Sequence, residues 1–284
     1  MNNIFNIKRF GLVLRKDIME GWKRYTLMFV TMLGIIAIML IGNYWDYYND
    51  FEKFGNQQRP INTNISISLS VLLGVFGIVF ASTFMSPMNS KLKKINYLAN
   101  PSSHLEKYLT RWLIITVGYI ISFFVALWVA DALRVAICSA RFSELEVTFV
   151  DLSKLIKTED SLDSREYVFQ QSVFMLIVSL YLLFQSLFIL GSTFWEKLSF
   201  VKTFTAITLI IISYVLICRW AILFSYGGFE GFGNVLDSFL SDRQNDFDEK
   251  DTLLFISSII SVFTLSLWSL AFFRFRESAI INKI

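Results

Sequence analysis

The sequence predicts an all-α, polytopic integral membrane protein whose chain crosses the bilayer six times. Three observations lead there. Of the 284 residues, 55% are hydrophobic and only 17% are charged, whereas a soluble domain carries about 25% charged residues. Aromatic residues alone make up 17%, with 29 Phe, 11 Tyr and 7 Trp, which suits side chains that belt a membrane interface. Six apolar runs approach the ~20 residues that a helix needs to cross the hydrocarbon layer. They are Tyr25–Gly42, Ile65–Met85, Leu113–Ala130, Val173–Phe194, Phe204–Phe224 and Leu253–Phe273, and none contains Pro. Each run must satisfy its own backbone hydrogen bonds in lipid, so helix is the expected form.

The same composition excludes several classes of function. A net charge of +3 implies no nucleic-acid partner. Cys138 and Cys218 are too few for a disulfide framework. A single histidine, His104, argues against a His-based metal site or proton relay and excludes the H-E-x-x-H motif of an intramembrane metalloprotease.

Residues 1–24 come first. Placed on a helix at about 100° per residue, Ile4, Ile7, Phe10, Leu14, Ile18 and Trp22 share one stripe, and Lys8, Arg9, Arg15, Lys16, Glu20 and Lys23 fall on the other side. This pattern predicts an interfacial helix along the inner leaflet, its basic residues facing headgroups or a cytosolic partner. A simple membrane anchor fits the same periodicity. The first span then ends in Asn43–Tyr44–Trp45 without a small-residue cleavage site, unlike a signal peptide. In the second span, Gly74, Gly77 and Ala81 are small residues three and four apart and permit close helix approach, within the subunit or across a dimer.

Segment 86–112 follows. Pro101 biases Asn100 away from helix. Ser103 and Glu106 then form an S-x-x-E capping box, so a helix should start at Ser103–His104 and run into the third span. The turn before it would be a rigid protrusion able to dock into a second protein. An ordinary helix restart reads the same way.

At the far end of the third span, Asp131 and Arg134 can pair on one helix face as an interfacial ion pair. Segment 131–171 is expected as a long loop with an acidic part, Glu144–Glu166, compatible with a short helix around Val147–Lys157. The fourth and fifth spans are joined by a tight turn holding Glu196 and Lys197. Arg219 stands near the outer end of the fifth span, where it can snorkel to the interface. Gln185 and Ser186, with Ser257, Ser258 and Ser261, could line a polar path, though serines in such helices more often bond their own backbone. The second long loop, 225–252, contains the acidic stretch Glu230–Asp251. Its glycines Gly227, Gly228, Gly231 and Gly233 suit an exposed loop or a re-entrant turn.

Segments 1–24, 86–112, 195–203 and 274–284 carry sixteen Lys and Arg, against nine in 43–64, 131–171 and 225–252 over a greater length. The positive-inside bias therefore predicts that both termini are cytoplasmic. No linker or composition shift divides the chain, so residues 1–284 read as one domain.

Pro101-Ser102-Ser103-His104-Leu105-Glu106-Lys107-Tyr108 resembles the P-A-S-x-x-E-K-F segment of permease subunits from bacterial type 2 ABC exporters, where it precedes the third span. Ser102 replaces the usual Ala and Tyr108 the usual Phe. Residues 191–203 resemble that family's turn between spans four and five, and Phe273-Arg-Phe-Arg-Glu277 resembles its tail. The resemblance implies a division of labour in the cytoplasmic (inner) membrane. A separate cytosolic ABC ATPase subunit binds and hydrolyses ATP, while this chain, as a homo- or heterodimer with a second permease subunit, supplies the pathway. Pro101, Ser102, Ser103, His104, Leu105, Glu106 and Lys107 would couple the two, supported by the N-terminal helix, and Arg111 and Lys91–Lys94 could add ionic contacts.

The residues agree with a missing motor. No Gly is followed by Lys, so there is no G-x-x-x-x-G-K-[ST] loop, and no cofactor site is expected in this chain. The rivals are an ion-coupled secondary transporter and a non-transporting membrane sensor or scaffold. The first would carry carboxylates or broken helices within its spans, and neither is present in the sequence. A scaffold would use the same coupling surface.

Overall fold

A computed structural model describes residues 5–54, 61–142, 147, 149–150, 164–195, 197–226 and 249–281. The fold is all-α, with no strand among the described residues. Its helices are α1 (Ile7–Phe54), α2 (Ile61–Ser82), α3 (Lys91–Ala99), α4 (His104–Leu113), α5 (Tyr119–Arg141), α6 (Ser164–Phe194), α7 (Ser199–Tyr226) and α8 (Glu249–Ile281). A 3₁₀ turn, Ser86–Met88, precedes α3, and a π turn, Ile114–Gly118, joins α4 to α5. Among the described residues, six helical stretches are long and apolar enough to cross a membrane, as the sequence predicts.

The helices outrun the apolar runs. α1 is one unbroken helix of 48 residues, about 72 Å at 1.5 Å per residue. The interfacial helix expected over 1–24 is therefore not a separate element. Residues 7–54 contain no Pro, and an isolated glycine such as Gly21 weakens a helix by only about 1 kcal/mol. Similarly, α5 continues through Arg141, so the first eleven residues of segment 131–171 are helix, not loop. Hydropathy falls at the edge of the lipid, but backbone hydrogen bonding continues past it until a breaker intervenes. The expected helix at Val147–Lys157, Glu196 and the glycines of Tyr226–Gly233 fall largely or wholly outside the described residues.

The chain divides into two compact units, Met1–Leu162 with Phe275–Ile284, and Asp163–Arg274. In the first, α1 packs mainly along α5. Its buried stripe is Met32, Ile36, Leu40, Tyr44 and Tyr48, at every fourth position, while Leu27, Val30, Ile35 and Ile38 stay exposed. α5 answers with Tyr119, Phe123, Leu127, Ala130, Arg134 and Cys138. Such i, i+4 rows are ridges that settle into a facing groove. Exposed apolar side chains on the other faces have lipid as their solvent. The Tyr119 hydroxyl donates to the Leu73 carbonyl at 2.6 Å and its ring lies 5.0 Å from Phe80, which ties α2 to α5.

In the second unit, α6 and α7 form an antiparallel hairpin. Phe188 stacks on Phe200 at 5.6 Å. Gly191 faces Thr203 so closely that a Cβ would overlap its side chain. Within the chain, nothing approaches a Cβ built at Gly74. Leu198 has φ +54° in the turn, a left-handed conformation uncommon outside glycine. The serines behave as local acceptors' partners: Ser186, Ser257, Ser258 and Ser261 each donate to a carbonyl three or four residues back.

Candidate functional site

The segment from Asn100 to Arg111 folds as the sequence predicts locally. Ser103 is the N-cap of α4: its hydroxyl accepts the Glu106 N–H at 3.2 Å, and the Glu106 carboxylate accepts the Ser103 N–H at 2.9 Å. The box satisfies two of the amide groups that a helix start leaves open.

The Glu106 carboxylate does more than cap its own helix. It also accepts the Asn6 N–H at 2.8 Å and two bonds from Arg9, Nε at 2.7 Å and Nη2 at 2.8 Å. Asn6 caps α1 in turn, its side-chain oxygen accepting the Lys8 N–H at 3.0 Å. One buried carboxylate thus joins the N-termini of α1 and α4, where helix dipoles favour negative charge.

A second ion pair lies deeper along the same two helices. Arg111 Nε is 3.0 Å from the Asp17 carboxylate, with both side chains nearly inaccessible. Arg111 Nη1 also donates to the Tyr25 hydroxyl at 3.0 Å. Tyr97 of α3 lies beside this group, and its burial raises the phenol above its ordinary range, so it remains neutral. Lys107 folds back, donating to the Asn100 carbonyl at 3.0 Å with its ammonium 5.7 Å from the Tyr97 ring. This bond closes the turn between α3 and α4.

These contacts sort the predicted residues. Pro101 and His104 are exposed, Ser102, Ser103 and Leu105 are half-buried, and Glu106 and Lys107 are buried. The Glu106 carboxylate and the Lys107 ammonium hold the turn together. Arg111 is likewise committed to Asp17, so it adds no ionic contact outside. Phe275 of the tail packs in the same cluster, 6.1 Å from Tyr108 and 6.5 Å from His104. Two of the three resembling segments therefore meet in space. The third is the turn of the α6–α7 hairpin.

The N-terminal stripe divides. Ile7, Ile18 and Trp22 are exposed, while Phe10 and Leu14 are half-buried; Ile4 lies outside the described residues. The face that packs inward holds Val13 and Asp17, turned about 90–130° from the centre of the predicted stripe at 100° per residue. Asp17 and Tyr97 were given no role from the sequence, and Arg9 and Phe275 were read only as parts of the basic face and of the tail. Asp17 offered a signal: it is an acid beside Phe10, Val13 and Leu14 on the wheel, and an acid on a packing face needs a buried cation.

At the other end of α5, Arg134 Nε meets Asp131 at 2.7 Å, and its guanidinium lies 3.9 Å from the Tyr44 ring centroid. Asp131 also accepts the Val150 N–H at 2.8 Å. The predicted pair exists, and it is buried between helices. Arg219 is exposed on α7, and both cysteines are free. Among the described residues no cluster of His, Cys, Asp or Glu could hold a metal. No protein family, curated protein or solved structure matches the chain.

Proposed function

We propose that this chain is the membrane-spanning subunit of an ATP-driven exporter in a bacterial cytoplasmic membrane, with both termini in the cytoplasm. It provides the pathway together with a second permease subunit, and a separate ABC ATPase seats on the turn at Pro101–Leu105. The observation that carries the reading is the stapled turn. Pro101 and His104 stand exposed on a knob whose base is fixed by Glu106, Arg9 and Lys107. The helix leaving that knob runs through α4 and α5 without a break in helical structure. A push on a rigid knob is transmitted along such a helix to a bundle with two packings. A flexible loop would absorb it.

Affinity purification of the full chain from its native membrane, with identification of the chains that come with it, tests this. An ABC ATPase should co-purify. His104→Ala with Leu105→Ala should cut its recovery roughly tenfold, a loss of about 1.4 kcal/mol, while membrane insertion is unchanged. Equal recovery with the variant, or solute movement by the isolated chain, would overturn the proposal.

A further inference from the structure

A cavity of about 270 Å³ opens at the basic end of the first unit, between α1, the 3₁₀ turn, α3 and α4. Lys16, Arg24 and Arg111 line it, with Glu20, Ser86 and Asn96. Arg24 Nη1 donates to the Ser86 hydroxyl, which fixes the guanidinium on the cavity wall. Arg111 at the inner side is already balanced by Asp17. Lys16 pairs with Glu20 at 3.6 Å, but both side chains are substantially exposed, and such pairs are worth at most about 1 kcal/mol. A stronger anion can take Lys16 from that partner.

Position and size narrow the ligand. Lys16 and Arg24 fall within the last two and a half turns of α1 before its apolar run begins at Tyr25, the depth at which headgroups lie. The volume is below the ~300–1,000 Å³ of a site for a drug-sized molecule, so it suits a headgroup and not an exported cargo. Helix α3, which lines the cavity, also exposes Leu92 and Ile95, apolar surface on which acyl chains can rest. Basic pockets between helices at this depth take anionic headgroups. We infer that this cavity binds a phosphate group, held by Lys16 and Arg24, and that an anionic phospholipid of the adjoining leaflet supplies it. The site would exist whether or not the chain serves an ATPase.

Native mass spectrometry of the full chain in neutral detergent tests this, titrating phosphatidylglycerol against a galactosyl diacylglycerol that has no phosphate. The chain should retain phosphatidylglycerol and not the galactolipid. Lys16→Gln with Arg24→Gln should weaken retention at least about tenfold, and the control Lys8→Gln with Lys23→Gln should leave it nearly unchanged. Millimolar inorganic phosphate that displaces the lipid would make free phosphate the natural source; failure to displace it assigns the lipid. Equal retention of the galactolipid, an unaffected double variant, or an equal loss in the control would each overturn the site. Size exclusion and circular dichroism check that the variants fold, and the comparison of two lipids on the unaltered chain stands without them.

Discussion

The first unit has a buried ion pair at each end of the long helix formed by α4 and α5, and the two are built differently. Asp17 and Arg111 lie on separate helices and are 94 positions apart in the chain. Asp131 and Arg134 lie on one helix, three residues apart. Arg111 to Asp131 is 20 residues, about 30 Å of helix and close to the thickness of a hydrocarbon core. Charges therefore bracket the apolar stretch at both edges. The distant pair fastens one helix to another, whereas the local pair stiffens a helix that already exists.

Three substitutions would break that comparison or sharpen it. Asp17→Ala should have the largest effect, about 3–5 kcal/mol, because it strands the Arg111 charge in a buried site. Thermal unfolding in detergent would read the loss, and limited proteolysis should cut the N-terminal half of α1 faster. Replacing both partners, Asp17→Leu with Arg111→Met, should recover most of the stability. Failure to recover would mean that Arg111 matters for more than its pairing.

Asp131→Ala should cost less, about 1–3 kcal/mol for the unpaired groups it leaves. Arg134 keeps its place over the Tyr44 ring. Proteolysis of the N-terminal part of α1 should stay at its original rate. If it accelerates as much as in Asp17→Ala, the two ends are not independent. Ser103→Ala should be the mildest, about 1 kcal/mol for a lost cap, since Glu106 keeps its bonds to Asn6 and Arg9. Unfolding by denaturant with the three variants side by side would rank them.

The same contrast explains how much could be read in advance. The six spans were legible because lipid imposes length and apolarity on each segment separately. The capping box and the Asp131–Arg134 pair were legible because helix geometry brings residues three apart together. Glu106 was visible as a cap but not as the anchor of Asn6 and Arg9, since no local rule joins residue 106 to residue 9. Burial of Lys107 and Arg111 was hidden for the same reason: a basic residue near an interface looks alike whether it faces water or a carboxylate on another helix. The full length of α1 was hidden because hydropathy marks where lipid ends and not where a helix stops.

The π turn at Ile114–Gly118 sits between the two charged ends. A wide turn takes up roughly one residue more than an α turn, so the α5 side chains beyond it are offset by about 100° from the phase α4 would otherwise give them. That offset is what lets Glu106 and Arg111 address the start of α1 while Tyr119, Asp131 and Arg134 address α2 and the far half of α1. Conversion of this one turn between wide and regular winding would swivel one end of the rod relative to the other, with no hinge and no broken helix.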